Sequence, residues 1–105
     1  RDSLQRVGWE ATRTPGSGDQ GADVIAEQSG LKIVVQCKSY ESPVGNKAVQ
    51  EIAAAKAFYG ADHAIVVTNQ TFTKSAKSLA AATSVILIHH DEIPLLMEKI
   101  LEHLE

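Results

Sequence analysis

Two alternating segments separated by Ser29-Gly30 constrain this chain more than any other feature. From Ala22 to Gln28, Ala22, Val24 and Ala26 take one face, and Asp23, Ile25 and Glu27 the other. From Leu31 to Lys38, Leu31, Ile33, Val35 and Cys37 oppose Lys32, Val34, Gln36 and Lys38. A period of two is that of a strand, and a two-residue turn joins antiparallel neighbours. Pairing Gln28 with Leu31 sets Glu27 against Lys32, Ile25 against Val34 and Asp23 against Gln36. Charge then meets charge and apolar meets apolar on one face. A one-residue slip would destroy that agreement.

The other elements follow from spacing and punctuation. Leu4 and Val7 read as the tail of a helix that ends near Gly8, with its start missing. Trp9 to Thr14 is a short strand, and Pro15 to Gly18 a loop. Asn46 caps a helix that runs to Tyr59 and stops at Gly60. Ala64 to Thr68 and Val85 to Ile88 are apolar runs suited to strands buried on both faces. The alanine-rich stretch Thr73 to Thr83 is the helix between them, which implies a right-handed parallel crossover. Asp91 caps a last helix, with Pro94 in its first turn. The expected fold is therefore α/β, a mixed five-stranded sheet flanked by helices, in a single domain over residues 1–105.

Composition narrows the function. At 105 residues and 44% hydrophobic content the chain can fill a core. One cysteine excludes an intrachain disulfide. No apolar run suits a membrane span or a signal segment, so no membrane partner is expected. The lone cysteine and the missing export signal suit the cytoplasm. The chain starts at Arg1 rather than Met, so a piece of a longer protein is expected. A formal net charge of −3 argues against a module that coats DNA by electrostatics alone. It leaves room for an enzyme that meets nucleic acid through a metal.

Gly16, Gly18 and Gly21 spell GxGxxG, but an alternating strand follows them where a dinucleotide site needs a helix N-terminus. No nucleotide cofactor is expected. His89 and His90 are strand neighbours that point to opposite faces, which makes them poor co-ligands. Cys37 shares the face of Ile33 and Val35 and reads as core.

The hairpin register carries the chemistry. It puts Asp23 and Gln36 with Cβ atoms about 5 Å apart and Lys38 diagonally about 7–8 Å from Asp23. A hard cation such as Mg²⁺ takes oxygen ligands and keeps several waters. Asp23, Gln36 and the Cys37 backbone carbonyl can supply such oxygens, and Lys38 can orient a water. The same spacing also fits a strand whose polar side simply faces solvent.

The run Gly18-Asp19-Gln20-Gly21-Ala22-Asp23, then a hairpin, then Gln36-Cys37-Lys38, resembles the catalytic core of Mrr-type restriction endonucleases. These belong to the PD-(D/E)XK nuclease superfamily, in the branch where Gln replaces the second acid. Later blocks resemble the family in order: Pro43-Val44-Gly45, Val49-Gln50-Glu51, Val67-Thr68-Asn69, Phe72-Thr73, Ala76 and Leu87-Ile88. The resemblance implies a restriction-endonuclease-like fold and metal-dependent hydrolysis of DNA phosphodiester bonds, with Mg²⁺ or Mn²⁺. It implies Asp23, Gln36 and Lys38 as catalytic residues, with Asp23 as the metal ligand; Gln36 and the Cys37 carbonyl as further ligands rest on the hairpin geometry above. Asp19 and Gln50 would support them, and Ser17 and Lys74 would touch nucleic acid. DNA is the expected partner, with a homodimer as the arrangement that would cut both strands. Related enzymes often place a Glu on the first helix near the metal. That helix is mostly missing here, and Glu10, which follows it, is not assigned the job. Mrr-type proteins often carry a separate DNA-binding domain, where target choice is expected to lie. The alternative is a non-catalytic module that keeps the fold and binds DNA or protein.

Overall fold

A computed structural model describes residues 2–13, 22–38 and 42–104. In chain order the elements are α1 (Asp2–Arg6), β1 (Glu10–Arg13), β2 (Val24–Gln28), β3 (Leu31–Lys38), α2 (Asn46–Tyr59), β4 (His63–Thr68), α3 (Lys74–Thr83) and β5 (Val85–His89). A 3₁₀ turn (His90–Leu95) and α4 (Leu96–Leu104) follow. The sheet runs in sequence order, β1-β2-β3-β4-β5. β1, β2 and β3 pair antiparallel, and β3, β4 and β5 pair parallel. This is the expected mixed five-stranded α/β sheet.

The hairpin register holds from Gln28↔Leu31 through Glu27↔Lys32 and Ile25↔Val34 to Val24↔Val35. Ser29 and Gly30, with φ of 52° and 82°, form the turn. Both positive values match the right-handed strand twist that such short hairpins need. The ladder then stops short of the expected Asp23↔Gln36 pair. The Asp23 backbone N–H donates to the Val35 carbonyl at 2.9 Å, and the strand begins at Val24 rather than Ala22.

Each face of the sheet has its own core. On one side Leu4, Trp9, Ile33, Val35, Ile65, Val67, Ile88, Leu96 and Ile100 join α1 and α4 to the strands. On the other, Val34, Val49, Ile52, Ala64, Val66, Ala76 and Ala80 bury α2 and α3. β4 lies between them and is buried along its whole length, as a two-sided strand must be. His63, outside the expected strand, opens it.

Three helix starts differ from expectation, each by where the first orphan N–H groups find a partner. Gly45, not Asn46, is the N-cap of α2, and no side chain caps it. Thr73 stands outside α3 as its cap, its hydroxyl accepting the Ala76 N–H at 3.0 Å. Asp91 does not cap the last helix. The His89 imidazole accepts the Asp91 N–H through Nδ1, and Glu92 Oε1 accepts the His89 N–H at 2.8 Å. Pro94 then lies in the 3₁₀ turn, and α4 begins at Leu96. Among the described residues, no helix is long and apolar enough to cross a membrane.

The connections place a site. Val44, just before α2, forms a parallel bridge with Phe72, just before α3. Its N–H donates to Thr71 and its carbonyl accepts from Thr73, both at 2.9 Å. Both helices therefore start at the carboxyl end of the parallel strands, where open α/β sheets receive ligands.

A candidate active site at the end of the third strand

Period-two alternation carries Val34, Gln36 and Lys38 onto the α2 side of β3. Val34 belongs to the core there. Gln36, two residues on, is buried too, at 4% exposure. Its Oε1 lies out of solvent with no hydrogen-bond partner. Buried polar atoms are nearly always paired, so such an oxygen calls for a partner from outside the chain, a water or a cation.

Asp23 is tied to the same strand end. Its Oδ2 accepts the Cys37 backbone N–H at 2.9 Å. The carboxylate thus takes the place of a strand carbonyl where the β2 ladder stops. In an antiparallel ladder one residue's N–H and C=O point to the same neighbour. The Cys37 carbonyl therefore points to the β2 side as well, toward the edge that Asp23 occupies. The Cys37 side chain is exposed, against the expectation that it is core. Alternation assigns it to the face of Ile33 and Val35, but their apolar cover does not reach the strand end. The thiol pKa is nevertheless raised, first by local desolvation and then by the Asp23 carboxylate.

Lys38 closes the strand, its Nζ 3.8 Å from Glu51 Oε1 on α2. That is an ion pair longer than a hydrogen bond. Glu51 Oε1 is also buried and without a hydrogen-bond partner. The expectation for α2 named Gln50, which is exposed; the residue that meets Lys38 is its neighbour. Glu51 lies three residues after Ala48 and four before Ala55, both buried. That spacing was a usable sign that it faces the sheet.

The parallel register sets Lys38, Thr68 and His89 in one row across β3, β4 and β5. Thr68 is buried and accepts the Gln70 N–H at 3.1 Å. His89 uses both ring nitrogens, Nδ1 for Asp91 and Nε2 against the Asn69 carbonyl at 3.2 Å. Lys74 opens α3, exposed, beside a shallow depression shared with Ser75, Ser78 and Leu79. Ser17 and Asp19 lie outside the described residues.

Among the described residues no three His, Cys, Asp or Glu side chains form a metal-binding group. What the strand end offers is all oxygen: the Asp23 carboxylate, the unpartnered Gln36 amide oxygen and the Cys37 carbonyl. That set suits a hard cation that retains waters, and it does not suit a thiolate- or imidazole-seeking metal. The chemistry open to it is orientation of a water and stabilisation of charge on a phosphate.

Comparison with known proteins bears on the family and the fold. A family model described as the restriction endonuclease domain Mrr_cat matches residues 1–97. The type IV methyl-directed restriction enzyme EcoKMrr of Escherichia coli (strain K12) is 32% identical over 101 residues, covering 92% of this chain and 31% of that protein. The chain thus spans about a third of the length of this curated relative. The crystal structure of AF1548, a protein of unknown function, superposes with a TM-score of 0.71 at 23% identity, covering 92% of this chain and 61% of that one. MspJI restriction endonuclease, solved with a 27-mer oligonucleotide, gives a TM-score of 0.58 at 17% identity, covering 95% of this chain and 25% of that one. At those identities the structures speak for the fold alone. The family match over nearly the whole chain goes further: the chain belongs to the Mrr_cat restriction endonuclease family.

Proposed function

We propose that this chain is the catalytic domain of an endonuclease that hydrolyses DNA phosphodiester bonds with the help of Mg²⁺ or Mn²⁺. The observation that carries the reading is the buried, unpartnered Gln36 Oε1 at the strand end to which the Asp23 carboxylate is tethered through the Cys37 N–H. Asp23, Gln36 and the Cys37 carbonyl would hold the cation. When bound, it supplies positive charge against the negative charge that develops on the phosphate and its leaving oxygen. Asp23 is held at the strand end by its bond to the Cys37 N–H, which keeps its carboxylate from turning away. Lys38, on the same face as Gln36, donates a hydrogen bond to the attacking water and orients it. Asp19 and Gln50 would support the site, and Ser17 and Lys74 would touch the DNA backbone. DNA as the substrate is supported by the relatives, one a methyl-directed restriction enzyme and one solved on an oligonucleotide. A homodimer would let two such sites act on opposite strands.

The test is nicking of supercoiled plasmid by the intact protein, with Mg²⁺ or Mn²⁺, with EDTA, and with Lys38→Ala alongside. Cation-dependent nicking that Lys38→Ala abolishes is the expected result. Nicking that persists unchanged in EDTA, or in Lys38→Ala, would overturn the assignment. A protein that binds DNA but neither cuts it nor binds a cation would be a binding module on the nuclease fold.

A further inference from the structure

Among the described residues, two buried side-chain atoms lack a hydrogen-bond partner: Gln36 Oε1 and Glu51 Oε1. Both are oxygens, and both belong to the same corner. Gln36 and Lys38 share one face of β3, α2 packs on that face, and Glu51 Oε1 lies 3.8 Å from Lys38 Nζ. A carboxylate oxygen shut away from water is costly unless a donor or a cation meets it. At 3.8 Å the lysine does not meet it with a hydrogen bond.

A count of charge points the same way. Asp23 carries one negative charge, Gln36 none and Lys38 one positive charge. Their sum is zero, which gives a divalent cation no net attraction. Glu51 makes the corner negative. It also brings a carboxylate from a second element, which fixes a ligand position more firmly than one strand end can.

We propose that Glu51 is a ligand of the catalytic cation, supplying from α2 the second carboxylate that Gln36 does not. This rests on the nuclease reading above and adds to its ligand set a residue outside the hairpin. It also accounts for both unpartnered oxygens with one ion, where a purely structural role for Glu51 would leave Glu51 Oε1 unexplained.

The test reads cation binding directly, without turnover. MnCl₂ is titrated calorimetrically into the intact protein and into Asp23→Asn, Glu51→Gln and the double variant Gln36→Glu/Glu51→Gln. Glu51→Gln keeps the shape and removes the charge. It is expected to weaken Mn²⁺ binding by about tenfold or more, the size of effect that losing one group around a metal brings. The double variant returns a carboxylate to the corner and is expected to regain most of the affinity. The metal-free melting temperature of Glu51→Gln should stay close to that of the unsubstituted protein, since the ion pair it loses is long and partly exposed. Unchanged Mn²⁺ affinity in Glu51→Gln, with binding lost in Asp23→Asn, would overturn the proposal and leave the nuclease reading standing. Weakened binding that the double variant fails to recover would overturn it too. No Mn²⁺ binding by the unsubstituted protein would remove both.

Discussion

Lys32 and Lys38 stand six residues apart on β3, with their side chains on one face, and live in opposite circumstances. At the turn end, Lys32 Nζ donates to the Tyr59 carbonyl at 2.7 Å. Its backbone N–H donates to Asp62 Oδ2 at 2.9 Å, and its carbonyl accepts from the Asp62 N–H at 2.7 Å. Glu27 faces it across the hairpin. At the carboxyl end, Lys38 has Glu51 at 3.8 Å, and two oxygens nearby are buried without a partner. The first end is saturated and ties the hairpin to the end of α2. The second leaves the Gln36 and Glu51 oxygens without a hydrogen-bond partner. Natural proteins break the rule of full satisfaction mainly where something else is to bind, so the contrast fits a structural role for Lys32 and the chemical role proposed for Lys38.

Substitutions at the two ends should separate just as cleanly. The largest effect is expected from Lys38→Ala or Asp23→Asn. Each should slow plasmid nicking by the intact protein by about 10²-fold or more, as loss of a general acid–base group does, with little change in urea midpoint. Lys32→Ala should do the reverse. Losing a charge-assisted bond that is partly exposed costs about 1–2 kcal/mol, read as a lower urea midpoint, with the nicking rate of the folded protein unchanged. If Lys32→Ala silenced nicking without loss of stability, the division would fail. Gly30→Ala is a milder probe of the closed end. Its φ is +82° and no atom lies within 4 Å of where a Cβ would sit, so the cost is backbone strain alone, about 1 kcal/mol.

The smallest effect concerns pH. His63 pairs with Ile33 near the turn end. Its pKa is lowered, first by desolvation and then by His103 and Lys56, with Asp62 opposing them. A histidine held below its unfolded value favours the folded state fully above that value, about 6.5. The contribution is lost as pH falls from there through the folded pKa. His63→Gln should therefore show a shallower fall in melting temperature between pH 7 and 5.5 than the unsubstituted protein. Equal slopes would assign the acid sensitivity to other groups.

What was legible in the sequence was what is local. The hairpin register could be computed because one turn and six paired side chains determine it together, and the same alternation put Gln36 and Lys38 on one face. That route also set Asp23 at the end of β3, though not its manner of attachment. Where a ladder stops depends on the neighbouring chain, and only there could a carboxylate replace a carbonyl against Cys37. Cys37 itself shows the limit of parity, which assigns a face but not what covers it. That Glu51 and not Gln50 meets Lys38 was not legible, because the two differ by the rotation of α2 on the sheet. That angle is set by how Val49, Ile52 and Ala55 seat against β3 and β4, not by any neighbour in sequence. His89 replaced Asp91 as cap for a similar reason, since its ring is anchored by Asn69 from the loop after β4.

The eight-residue length of β3 also makes it a measuring rod. At about 3.3 Å per residue, Gly30 of the turn stands roughly 26 Å along the strand from Lys38. Neither residue of the turn packs against the site, and both are exposed. A dye or a surface tether attached at the turn would report from a fixed, known offset without entering the chemistry. A single residue deleted between the turn and Gln36 would do the opposite, turning the amide and the lysine to the far side of the sheet while the turn itself stayed intact.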